Sequence, residues 1–318
     1  MTRLSLIATL AWVLPGAALA HHDGAIGRID PTSAQLVTPG RGEAPRLDSS
    51  LAYRFAYFGR VLDDGSTVDG DGAIEVHLAV LGARVYATDS VFFSAALPVG
   101  LSRTEGERFD EQTRGLGDMT LGVGYATQWS RVLLSAEAGM VLPSGRYEPE
   151  NALTISDITT TAEGGLDLAL FDTRASLGAD TWAAQAAVTA ALPLGPWIPR
   201  ARLSAVQPLT DTEDGIRWGT DLSAAADLAW TGGPVTLSGG AEWRSHLEDR
   251  LQVGSDDAPL ERLGGRDQLS VLAEISVATG EDARCGIAGS VPVYQRTGAP
   301  QVVETFSGSL QCAFALGL

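Results

Sequence analysis

From residue 91 to residue 101 the chain alternates with a period of two. Val91, Phe93, Ala95, Leu97, Val99 and Leu101 fall on one side, and Phe92, Ser94, Ala96, Pro98 and Gly100 on the other. That period belongs to a β-strand, whose successive side chains point to opposite faces. Residues 118–126 repeat it, with Met119, Leu121, Val123 and Tyr125 set against Asp118, Thr120, Gly122 and Gly124. Further runs are 132–142, 158–170, 182–194, 218–230, 235–247 and 269–277. Each has about ten residues, enough for a tilted strand to cross a bilayer. The last nine residues again put Leu310, Cys312, Phe314, Leu316 and Leu318 on one face. A closing strand greased on one side only is what a transmembrane barrel needs.

The connections alternate in length. Short ones at 87–90, 128–130, 171–172, 195–196, 231–233 and 279–282 separate others at 62–72, 103–116, 144–156, 178–181, 210–215, 248–266 and 297–300, four of these long and polar. Outer-membrane barrels join strands by short periplasmic turns and longer outer loops. The pattern predicts an all-β, antiparallel transmembrane β-barrel of about fourteen strands with both termini periplasmic. Merging strands across 173–194 would give twelve. Residues 81–86 break the alternation, and a bulge near Leu81 and Gly82 would keep Arg84 out of lipid. Trp182, Trp218, Trp230, Trp243, Tyr53 and Tyr57 fall on apolar faces near strand ends, where membrane girdles sit. A soluble β-sandwich explains neither the terminal strand nor the loop asymmetry.

Residues 1–20 carry Arg3, an apolar stretch from Leu4 to Leu14 and Ala18-Leu19-Ala20 before His21, the layout of a signal peptide. Residues 21–49 show no strand period and read as an irregular periplasmic or plug segment, leaving 50–318 for the barrel. Beyond the signal no apolar run approaches a membrane helix, which leaves periplasm, secretion or outer membrane, and the strand pattern makes outer membrane the expected location. All 22 basic residues are Arg, and the net charge is −17, or −18 once Arg3 leaves with the signal (−17 − 1). So acidic a chain is a poor partner for nucleic acid.

If the apolar faces meet lipid, the opposite faces place Arg54, Arg60, Glu75, His77, Glu137, Glu163, Asp167, Arg174, Arg200, Arg202, Arg217, Asp221, Asp227, Glu242, Arg244, His246, Glu274 and Arg284 in the lumen. An Arg facing lipid at the midplane would cost about 2–4 kcal/mol, which forces this sorting. The charges either brace the wall as ion pairs or select permeants, as charged rings do in pores. In the second reading Arg200, Arg202 and Arg217 form a basic stripe opposite Glu137, Glu163 and Asp167. A barrel hydrolase would need a nucleophile within reach of His77 or His246, and Ser245 and His246, being adjacent, face opposite ways. No cofactor is implied. His21 and His22 at the mature N-terminus form a candidate copper or nickel site, with a plain polar end as the alternative. The acidic loops either solvate the surface or hold divalent cations against lipopolysaccharide. Cys285 and Cys312 each lie 13 positions from the turn at Gly298-Ala299 (298 − 285 and 312 − 299), which sets them opposite on neighbouring strands. A disulfide or two lipid-facing thiols would both fit.

Two segments carry a family resemblance. Leu81 to Ser90 running into Val91 to Gly100 with Leu97-Pro98, and Gly115-Leu116-Gly117-Asp118-Met119-Thr120-Leu121-Gly122, resemble outer-membrane channel proteins of the phenol meta-pathway type. The ending, with Gln311, Ala313, Leu316 and Leu318, resembles the signature read by barrel-assembly machinery, with Leu in place of the usual terminal aromatic. The resemblance implies a channel for small organic compounds, with outer-membrane lipid, lipopolysaccharide and a small-molecule permeant as partners. The Asn-Pro-Ala start of fatty-acid transporters is absent. The expectation is a passive channel for small solutes, with a structural or adhesive barrel as the alternative.

Overall fold

The computed structural model describes residues 46–63, 66–68, 73–106, 109–145, 177–212, 216–251, 261–280, 282–298 and 301–317. Fifteen strands follow one another: β1 (Arg46–Asp63), β2 (Ser66–Val68), β3 (Ala73–Tyr86), β4 (Val91–Gly106), β5 (Phe109–Leu116), β6 (Met119–Trp129), β7 (Val132–Leu142), β8 (Ala183–Ala191), β9 (Trp197–Pro208), β10 (Ile216–Arg217), β11 (Asp221–Gly232), β12 (Val235–Leu251), β13 (Glu261–Ala278), β14 (Ala283–Thr297) and β15 (Gln301–Gly317). Each pairs antiparallel with its neighbours, and β15 pairs with β1 from Arg46–Gly317 to Leu62–Gln301, closing the sheet on itself.

The ring holds twelve strands. β2, β5 and β10 are short outer continuations that pair with β1, β4 and β12 above the points where β3, β6 and β11 take over. The fourteen-strand count is therefore corrected to the twelve-strand alternative. β7 pairs directly with β8, from Leu133–Ala191 to Val141–Ala183, and leaves no edge between them for another strand. The expected strand 158–170 lies outside the described residues. Closure pairs the strand edges, the condition a sheet must meet in hydrocarbon, except between the outer parts of β14 and β15.

The turns at 87–90, 130–131, 192–196, 233–234 and 279–282 gather at one end, with the start of β1 and the end of β15. Gly233 takes φ 62°, a left-handed conformation that suits glycine in so tight a turn. Leu121, Val123, Tyr125, Val188, Leu203, Leu237, Val271 and Ile275 stand exposed on the outer surface, as lipid-facing side chains would. Tyr53, Trp182, Trp230 and Trp243 are exposed beside them, whereas Trp218, expected in that girdle, is buried and donates from Nε1 to the Ala179 carbonyl at 2.9 Å.

β3 corrects another expectation. It pairs with β1 and β4 without a register shift, so no bulge lies at Leu81 and Gly82. Arg84 is buried, and strict alternation back from it turns Ile74, Val76, Leu78 and Val80 inward. Glu75 and His77 therefore lie on the outer face, where His77 Nδ1 meets the Tyr53 hydroxyl at 2.7 Å.

Candidate functional site: the barrel interior

The interior has two walls of different chemistry. Ala52, Ala56, Phe58, Ile74, Val76, Leu78, Val80 and Ala96, from β1, β3 and β4, make an apolar patch, completed by Leu177. Leu177 is the first described residue of the stretch that leads into β8. Asp118, between β5 and β6, accepts from the backbone N–H groups of Gly145 at 2.9 Å and Ala179 at 2.7 Å. Gly178 approaches Gly145 so closely that a Cβ there would lie 2.6 Å from backbone. The Gly-Asp step noted in the sequence thus ties together the two described ends of the β7–β8 connection, Gly145 and Gly178-Ala179, a role that alternation alone does not reveal.

The rest of the interior is charged and cross-linked. Arg84 on β3 reaches Glu137 on β7 at 3.1 Å, across two intervening strands of the ring, and Glu137 also accepts from the Ser94 hydroxyl. Gly122 makes the room, since a Cβ there would sit 2.8 Å from Glu137 Oε1. Arg244 on β12 binds Glu242 at 2.6 Å and Glu304 on β15 at 3.3 Å. Gln268 donates to the same Glu304 carboxylate at 3.4 Å. Arg200 pairs with Asp227 at 2.5 Å, and His246 with Asp221 at 2.6 Å. Arg84–Glu137 and Arg244–Glu304 each bridge strands that are not neighbours, whereas Arg200–Asp227 and His246–Asp221 join directly opposed residues of adjacent strands and line the wall.

Of the residues named from sequence, Arg54, Glu137, Arg200, Arg202, Glu242 and Arg244 lie buried on inward faces, and Asp221 joins them through His246. Arg60 is exposed near the mouth and donates to Gln295 at 3.4 Å. Arg217 stands apart from Arg200 and Arg202: its guanidinium binds Asp211 at 2.8 Å in an exposed outer loop and holds that carboxyl below the usual range through hydrogen bonding. Glu163, Asp167, Arg174, His21 and His22 lie outside the described residues. Glu304 and Arg266 were missed. A bulge at Thr305 shifts Glu304 onto the inner face, which period-two counting from the C-terminus cannot follow. Arg266, expected at the end of the 248–266 loop, instead continues the inward series of β13 with Gln268, Ser270, Leu272 and Glu274.

Cys285 and Cys312 face each other across β14 and β15 with Cα atoms 4.1 Å apart, and they form a disulfide.

The closed ring, the lipid-facing exterior and the polar interior define an outer-membrane β-barrel. Residues 60–224, just over half of the chain, match the family described as "Putative MetA-pathway of phenol degradation", and the chain belongs to that family. No curated protein matches it in sequence. Among solved structures it is similar to the COG4313 outer membrane channel from Pseudomonas putida F1, with 16% identity and a TM-score of 0.67 over 88% of this chain and 100% of that one. The translocator domain of the autotransporter NalP from Neisseria meningitidis is more distant: 11% identity, a TM-score of 0.44, 85% of this chain and 88% of that one.

Proposed function

We propose that this protein is a passive outer-membrane channel for small solutes, and that its permeants are small organic compounds with both apolar and polar parts. The observation that carries the reading is the mixed interior: the β1–β3–β4 patch offers an apolar surface, while Arg54 and Arg84 on those same strands and the Arg–carboxylate groups of the other strands offer donors and acceptors. A molecule of phenol's character, with a ring and one polar group, finds a complement for each part, whereas a hydrophilic sugar finds only one. Family membership and the likeness in fold to a protein described as an outer membrane channel support the reading. The inward Arg200 and Arg202 would then tune selectivity rather than only brace the wall. Lipopolysaccharide and barrel-assembly machinery follow as partners from the location. The test is the initial uptake rate of radiolabelled phenol at limiting concentration in a deletion strain, with and without the gene restored. Faster uptake on restoration is expected, and equal rates would overturn the proposal in favour of a structural barrel.

A further inference from the structure

The barrel wall is not paired throughout. β14 and β15 form a hairpin, yet their ladder runs only from Ala283–Phe314 to Ser290–Ser307. Above that pair β14 continues along β13 up to Arg266–Thr297, and β15 continues along β1 up to Leu62–Gln301, but no backbone pairing joins the two. The eight paired positions span about 19 Å of membrane depth at 3.3 Å per residue and a tilt near 45°. The apolar band of such barrels is about 25 Å tall. The parting therefore begins within the band. Val291, Val293 and Tyr294 on one side and Phe306 on the other are exposed there, as on the lipid-facing surface below.

The sequence is built to part here. Pro292 brings no N–H to a ladder. Three bulges fall at the same level on three successive strands: Val293 on β14, Thr305 on β15 and Gly59 on β1. Unpaired strand edges are costly in hydrocarbon and persist where they line a cavity. An open pocket of about 380 Å³ lies here, lined by Pro292, Val293, Tyr294 and Gln295 of β14, Arg60 and Leu62 of β1 and Thr67 of β2. That volume suits a small-molecule site, for which about 300–1,000 Å³ is usual. At the foot of the parting a smaller void is lined by Ala56, Val76 and Leu78 of the apolar interior patch together with Ser290 and Ser307. Side chains replace the missing ladder: Gln295 Nε2 donates to the Glu304 carbonyl at 2.8 Å and to Gln268 Oε1 at 3.1 Å. Thr297 donates to the Leu62 carbonyl at 3.1 Å and bounds the parting above, while the Cys285–Cys312 disulfide secures the zipped hairpin below.

We infer that this parting is a lateral window through which small apolar or weakly polar molecules pass between the outer leaflet and the barrel interior, with Gln295 as its latch. The inference rests on the channel reading above and gives its route. The probe is N-phenylnaphthylamine, an apolar dye held back by lipopolysaccharide and fluorescent in phospholipid, added to cells lacking the gene and carrying wild type or variants. The double variant Val291→Cys/Phe306→Cys extends the zipped register by one pair (291 + 306 = 290 + 307) and clamps the window when oxidised. Val293→Trp fills it, and Gln295→Ala releases the latch. Dye entry should fall to the level of the deletion strain in the clamped and filled variants. It should recover in the clamped variant on reduction, with reduced wild type as control, and rise above wild type in Gln295→Ala. Wild type no faster than the deletion strain would overturn the channel reading itself. Wild type faster, with the clamped and filled variants equally fast, would overturn the window alone. Should those two variants fail to show heat-modifiable migration of a closed barrel, an unchanged rate in Gln295→Ala would overturn it instead.

Discussion

Replacing Glu137 by Gln should destabilise the barrel more than any exposed charge change. The carboxylate and its partner Arg84 are each 4% exposed and 3.1 Å apart, so the pair is shielded from water and salt. Breaking a buried pair by removing one member costs about 3–5 kcal/mol, because a buried charge loses part of its compensation. Two features set the value near the lower end. The Arg84 guanidinium lies 4.4 Å from the Phe92 ring centre, a cation–π contact worth about 0.5–2 kcal/mol that survives the change, and Gln retains an acceptor for the Ser94 hydroxyl. The expected loss is therefore about 3 kcal/mol. Replacing both partners, Arg84→Met with Glu137→Leu, should restore most of it, since paired apolar replacements of buried ion pairs are often neutral. Urea unfolding in lipid vesicles, followed by tryptophan fluorescence across the double-mutant cycle, measures the coupling. The Arg217–Asp211 pair is the internal control: at 56% and 42% exposure it should contribute about 0–1 kcal/mol. A coupling at Arg84–Glu137 no larger than at that loop pair would refute the shielding argument.

Three further outcomes follow. Changing Cys285 and Cys312 to Ala should lower stability by about 3.5 kcal/mol, the chain-entropy value for a bridge spanning 27 positions, and equal urea midpoints would remove the bridge from the account of the hairpin. Asp211 is held below the ordinary carboxylate range by Arg217, so its loop contact is complete above the unfolded-state value and weakens as pH falls through the lowered one; NMR titration in wild type and Arg217→Gln checks this, and identical titration curves would contradict it. Changing Arg200 and Arg202 to Glu should move the reversal potential in a salt gradient toward cation preference, and an unchanged potential would mean that these residues only brace the wall.

What the sequence revealed followed how cleanly each strand separates lipid-facing from interior residues. β4, β6 and β12 have one large apolar face and one small or polar face, so their orientation is plain. β3 carries apolar side chains on both faces, Ile74 and Val76 inward and Leu81 and Val85 outward, because its inner face belongs to the apolar wall; its orientation is decided by Arg84. The count of fourteen was too high because period-two patterning records amphipathicity and not pairing, and so does not reveal that β7 pairs directly with β8. The cysteine opposition was legible because that hairpin is regular below Ser290, whereas the position of Glu304 and the parting above it were not, because bulges shift the register there.

The most direct measurement uses purified protein in vesicles whose outer leaflet is lipopolysaccharide, which slows the entry of apolar dyes. Entry of N-phenylnaphthylamine is followed by stopped-flow fluorescence against protein-free vesicles and vesicles holding Val293→Trp. The account predicts fast entry with wild type and a protein-free rate with the filled variant; entry with wild type no faster than without protein would contradict it.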